Sequence, residues 1–245
     1  GEVSAFQRRY IMRYPLFMLA TLALTSIMAA DDLGELVFED HFERNESQET
    51  TDEPQNGWGT NSRSRAKGNK QVDLQDGTMR IFMHAEADHA VSVTHPAGFE
   101  DGAVSLRFML EDAKNSLGLN FADLEFKGVH AGHLFVVNVS TKAVEIRDLK
   151  TGGMRIDMRE ARVAKKKLTE EQQQALKGKD KSFPHTLEIG KWHDLLVKIS
   201  GDTVSATLDG QLIGSFSSPG FTHPTKRTLR LGVPRQAVVD DVKIW

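Results

Sequence analysis

The last third of the chain, Lys191 to Trp245, constrains the fold more than any other stretch. It divides into Lys191–Ser200, Thr203–Leu208, Gln211–Phe216, Thr228–Val233 and Ala237–Trp245, all short and apolar or alternating. Gly201-Asp202 and Asp209-Gly210 separate the first three. Period-two alternation puts successive side chains on opposite faces of a strand, and Asp-Gly supplies the positive φ that a tight hairpin needs at both central residues. The pattern predicts antiparallel strands joined by tight turns.

The same grammar runs upstream. Leu36–Phe38 reads as a strand, and Gln71–Leu74 and Thr78–Met83 flank a second Asp-Gly at Asp76-Gly77. Ala90–Thr94, Ala103–Leu110, Leu117–Phe121, His133–Val139 and Ala143–Leu149 follow. In these, Val104, Leu106, Phe108 and Leu110 oppose Ser105, Arg107 and Met109, while Phe135, Val137 and Val139 oppose Leu134, Val136 and Asn138. Between residues 155 and 181 the period changes. Thr169 with Gln172 three positions on is a capping box, and Gly178 is a stop signal, so a short helical insertion is expected, after which Leu187–Ile189 rejoins the sheet. Many short strands with little helix imply an all-β, two-sheet antiparallel jelly-roll sandwich.

Composition narrows the setting. Leu16–Ala29 is an apolar, small-residue run of 14 residues preceded by Arg8, Arg9 and Arg13. That is the pattern of a secretory signal, and a spanning helix needs about 20 residues. The reading is therefore signal and upstream residues over 1–29, one domain over 30–245, and a secreted or periplasmic product; a membrane anchor is the alternative. Removing residues 1–29, which hold three Arg and one Glu, takes the formal charge from −3 to −5. A mildly acidic domain has no electrostatic case for nucleic acid. With no cysteine, the roughly 216 remaining residues must be held by their core, and thiolate metal sites and cysteine nucleophiles are excluded. No stretch after the leader is long enough to span a bilayer, and the residues name neither a cofactor nor an oligomeric state.

Several segments carry a family likeness. Leu106-Arg107-Phe108 and Asn115-Ser116-Leu117-Gly118-Leu119-Asn120-Phe121, then Gly190-Lys191-Trp192-His193, Leu208-Asp209-Gly210 and Asp240-Asp241-Val242-Lys243-Ile244, resemble the 3-keto-disaccharide hydrolase family. The likeness extends over about residues 36–245 and implies a concanavalin-like jelly roll acting on glycosides. The strand that carries an acidic signature in that family reads Leu134-Phe135-Val136-Val137-Asn138 here, without a carboxylate.

The expected site follows from these readings. Arg107, Asn120 and Asn138 are expected as a row on the polar face of one sheet, with Trp58 as an aromatic at its rim. Such a row offers planar donors and acceptors to sugar hydroxyls, and the aromatic offers a surface to the ring. The resemblance adds catalysis, with His130 or His133 as acid or base. His130-Ala131-Gly132-His133 is also the densest histidine pair, but two ligands at i and i+3 before a strand do not make a metal site, and none is assigned. No glucanase-type Glu-x-Asp-x-x-Glu strand is present. The basic run Arg63, Arg65, Lys67 and Lys70 reads as a solvated loop. Two function classes result: a carbohydrate-active enzyme, or a non-catalytic carbohydrate-binding or surface-interaction module on the same scaffold.

Overall fold

A computed structural model describes residues 33–245. The leader-like run at residues 16–29 lies outside the described residues. Among the described residues, fifteen strands are distributed between two sheets. In chain order they are β1 (Phe38–Asp40), β2 (Gly59–Thr60), β3 (Val72–Gln75), β4 (Thr78–Phe82), β5 (Val91–Phe99), β6 (Gly102–Met109), β7 (Ser116–Ala122) and β8 (His133–Ser140). There follow β9 (Ala143–Asp148), β10 (Asp180–Pro184), β11 (Trp192–Ser200), β12 (Thr203–Leu208), β13 (Gln211–Ser217), β14 (Lys226–Val233) and β15 (Gln236–Ile244). The first sheet runs β13-β12-β11-β6-β15-β4-β3, with β1 added alongside β15. The second runs β10-β9-β8-β7-β14-β5-β2. All pairings within both sheets are antiparallel, so the fold is an all-β jelly-roll sandwich of the concanavalin-like type.

Local chemistry explains the hairpins. Asp76 and Gly77 have φ of 54° and 68°, and Asp209 and Gly210 have 50° and 78°, the doubly positive pattern of a type I′ turn. Between the sheets, Leu106, Phe108, Val197 and Ile199 of one layer meet Leu119, Phe121, Phe135 and Leu231 of the other, all buried. Phe121 stacks on Phe135 at 4.7 Å between centroids, and Phe135 meets Phe221 edge-on at 5.0 Å. Burial of this kind contributes about 25 cal/mol per Å² of apolar surface, and with no disulfide it carries the stability of the domain.

The segment between β9 and β10 holds α2 (Ile156–Val163) and α3 (Glu170–Leu176), while α1 (Ser62–Arg65) is one turn before β3. Thr169 and Gln172 form the reciprocal capping box, and Gly178, with φ of 65°, follows the end of α3. Met158 anchors α2 and is fully buried. Two local expectations need correction. The chain rejoins the sheet at β10 rather than at residues 187–189, because the pairing runs Asp180↔Arg147 to Pro184↔Ala143, and an edge strand tolerates the proline. The basic run is not a plain loop, since Ser62–Arg65 is helical. Among the described residues, no helix is long and apolar enough to cross a membrane.

Candidate functional site

The outward face of the second sheet carries a groove of about 920 Å³. Its floor is a row of side chains in direct cross-strand register: Ser182, Glu145, Asn138, Gly118, Gly232 and Ser92, one from each of β10, β9, β8, β7, β14 and β5. Strands lie about 4.8 Å apart, so the row extends over about 24 Å. Two glycines meet at its centre. A strand glycine of this kind marks a close approach of another molecule or backbone. A Cβ on Gly118 would stand 2.6 Å from Asn138 Oδ1, so the Asn138 amide lies over that position. A Cβ on Gly232 would find its nearest atom at 3.8 Å, so the space above Gly232 is open.

The parallel row one step along contains Arg147, Val136, Asn120, Arg230 and Thr94. Here the side chains interlock. His133 Nδ1 lies 3.1 Å from Asn120 Oδ1 and 3.4 Å from Arg230 Nη1. Arg230 Nη2 donates to the Ala131 carbonyl at 2.8 Å. Ala131 itself has φ of 50°, a strained conformation for a residue with a Cβ, and it aims its carbonyl at the guanidinium. Burial, with the positive charge of Arg230 and His130 adding to it, pushes the His133 imidazole down to about 4. The ring is therefore neutral at pH 7 and offers one donor and one acceptor. An NMR titration should find His133 uncharged from pH 8 to about 5; a midpoint near the ordinary value of about 6.5 would contradict this placement. Glu145 is the single carboxylate among the described groove residues, and Arg147 Nη2 donates to it at 2.7 Å. On the far wall stand His89 and Arg65, held from behind by Asp88, which does not itself line the groove, at 2.9 Å and 3.7 Å.

The structure brings together only part of the expected set. Asn120, Asn138 and His133 share the groove. His130 lies beside it, lining an adjoining pocket, with its ring centroid 6.4 Å from that of His133. Arg107 is in the first sheet, paired between β11 and β15, and cannot join the asparagines. Its guanidinium lies over Trp192, 5.0 Å from the ring centroid, and is 3.6 Å from Asp241 and 3.8 Å from both Asp194 and Asp240. Trp58 is no rim platform: it is buried against Phe42 and His95, and its Nε1 donates to Asp40 at 2.8 Å.

Leu134, expected on the polar face, is fully buried in the core, because a register shift after Phe121 exchanges it for His133. Bulges re-aim side chains in this way. Arg230, Glu145, Ser182, Ser92 and Gly232 were not anticipated. The alternation of Leu229-Arg230-Leu231-Gly232 carries the signal for two of them.

No protein-family model matches the chain, and no curated protein matches it by sequence. Solved structures similar to it include a non-specific endo-β-1,3(4)-glucanase of family GH16, with 14% identity, a TM-score of 0.54, and 86% of this chain and 90% of that one covered. A laminarinase from Flavobacterium sp. UMI-01 gives 12%, 0.53, 86% and 100%. An endo-β-galactosidase from Clostridium perfringens that releases GlcNAcα1-4Gal gives 8%, 0.55, 86% and 62%. At these identities the likeness is one of fold.

Proposed function

We infer that this is a carbohydrate-binding protein whose ligand lies along the groove of the second sheet. The observation that carries the reading is the six-residue floor: two opposed glycines at its centre, flanked by Asn138 and Ser92, with Ser182 and the Arg147-paired Glu145 completing it. Hydroxyls of an extended saccharide find planar amide partners in Asn138 and Asn120 and hydroxyl partners in Ser92 and Ser182. The glycine saddle lets a sugar ring descend onto the backbone. The interlocked Asn120, His133 and Arg230 are fixed before any ligand arrives, which lowers the ordering cost of binding. The similar solved proteins that act on glucans or galactosides support the same ligand class.

Binding is favoured over hydrolysis by paired carboxylates. Such hydrolysis uses two carboxyl groups about 5 to 9 Å apart, and the described groove residues supply Glu145 alone, already ion-paired. The hydrolytic reading suggested by the 3-keto-disaccharide hydrolase resemblance rests on one feature, the His133 cluster. With Nδ1 donating to Asn120, His133 Nε2 would be free to take a proton from water. A base held near 4 is weak at neutral pH, which places this reading second.

A glycan array followed by reducing-end release on the same glycans separates the two. The expected result is retention of one glycan class without release, weakened about fivefold by Asn138→Ala through the loss of about 1 kcal/mol of hydrogen bonding. Time-dependent release abolished by His133→Ala would instead establish the enzyme. No retention and no release by folded protein would remove both readings.

A further inference from the structure

Next to the groove lies a second cavity, about 550 Å³, roofed by the helical insertion. Its walls carry His130, Arg147, Arg159, Arg162, Lys179 and Asp180. Four of these are cations, against Asp180 at the rim and the buried Asp148, in a chain whose formal charge is −3. Asp148 faces other partners: Thr151, Ser218 and the Gly220 N–H hold it. Arg147 is paired with Glu145, and Arg162 donates to the Gly153 carbonyl. Arg159 and Lys179 are different. Both are half-buried, and among the described residues neither side chain has a hydrogen bond or ion pair. Placing a cation partly out of water without a partner costs free energy that an incoming anion recovers. Arg159 and Arg162 stand at i and i+3 on α2, so both project from one helix face.

The cavity adjoins the groove along β9. Glu145 lines the groove, and Arg147, two residues along the same strand face, lines the cavity, about 7 Å further. His130 and His133 bridge the same boundary at 6.4 Å between ring centroids.

We propose that this cavity is an anion subsite for the same ligand, so that the saccharide in the groove is an acidic one carrying a carboxylate or sulfate ester on a pyranose, with Arg159 and Lys179 as its principal partners. The inference rests on the groove reading above and narrows it. Burial, with the Arg159 and Arg162 charges adding to it, holds the His130 imidazole below its ordinary value.

Isothermal titration of the full chain with laminarihexaose, hexagalacturonate and a κ-carrageenan hexasaccharide tests it. At low salt one or both acidic hexasaccharides should bind at least about tenfold more tightly than laminarihexaose. Hexagalacturonate alone identifies a carboxylate, carrageenan alone a sulfate. The preference should shrink as sodium chloride rises toward 0.5 M, because the Debye length contracts from about 10 Å at 0.1 M. Arg159→Gln with Lys179→Gln should remove the preference without lowering the melting temperature, since neither side chain holds the fold together. Equal affinity for neutral and acidic sugars, or a preference surviving in the double variant, overturns the subsite and leaves the groove standing. Failure of all three sugars, with no glycan retained on the array, removes the groove and the subsite together.

Discussion

Leucine in place of Gly232 is expected to abolish saccharide binding while the domain remains folded. A Cβ at this position meets nothing nearer than 3.8 Å, and the backbone there is ordinary strand, so the substitution costs the fold little. Surface strand positions of this kind change stability by about 0.5 kcal/mol or less, or about 2 °C for a domain of this size. The isobutyl group, however, fills the saddle between Asn138 and Ser92, where a sugar ring would rest. A loss of about 3 kcal/mol, equivalent to more than 100-fold in affinity, is expected for the glycan the array retains best, measured by titration calorimetry beside a thermal melt. An unchanged affinity in a normally melting Gly232→Leu protein would place the ligand elsewhere. Gly118→Leu makes a poorer probe, because its side chain would displace the Asn138 amide as well as fill the groove.

How much of this was legible in the sequence depends on the range of the interaction concerned. The hairpins at Asp76-Gly77 and Asp209-Gly210, and the capping box at Thr169, are set by residues three or fewer positions apart, and a one-dimensional reading captures them. Alternation correctly turned Arg107 and Asn120 outward from the core. It carries no information about which sheet a strand joins. β6 and β7 are neighbours in sequence, yet β6 pairs with β11 and β15 while β7 pairs with β8 and β14, so the two side chains stand on opposite outer faces of the sandwich.

His133 shows the next limit. A one-residue shift in pairing after Phe121 reverses the parity that strict alternation assigns, and nothing local in His133-Leu134-Phe135 announces it. Arg230 was legible as an outward residue but not as a site residue, because its partners are His133 and Ala131, about a hundred positions away. Trp58 failed for a related reason. An aromatic flanked by glycines in a loop resembles a platform until the carboxylate that takes its indole N–H, Asp40, is known to lie beneath it.

That carboxylate is the basis of the largest stability effect expected. The Asp40 side chain, only 3% exposed, accepts five hydrogen bonds: from the Phe42 N–H at 2.9 Å, Arg44 Nη1 and Nη2 at 2.7 and 3.0 Å, Asn56 Nδ2 at 3.0 Å and Trp58 Nε1 at 2.8 Å. Arg44 in turn donates to the Pro54 carbonyl, so one carboxylate ties the end of β1 to the turn after it and to the 54–58 segment. Asp40→Ala leaves a half-buried guanidinium with the Pro54 carbonyl but no counter-charge, and a buried indole N–H without its acceptor. Removing one partner of a buried pair costs about 3 to 5 kcal/mol, which lowers the melting temperature by about 10 °C at pH 7.

The effect depends on pH in a defined direction. Burial raises the Asp40 carboxyl, but Arg44 and the N–H donors outweigh it and hold the group below its ordinary range. A depressed carboxylate contributes stability above its unfolded value of about 3.9, and that contribution fades as pH falls through the lower folded value. The gap between wild type and Asp40→Ala, read from thermal melts, should therefore be full at pH 7 and shrink below about pH 4. Asp40→Asn, which keeps the shape and one acceptor oxygen but not the charge, should fall between the two. Equal melting temperatures at pH 7, or a gap that stays constant down to about pH 2, would show that the five contacts do not hold this corner of the sandwich together.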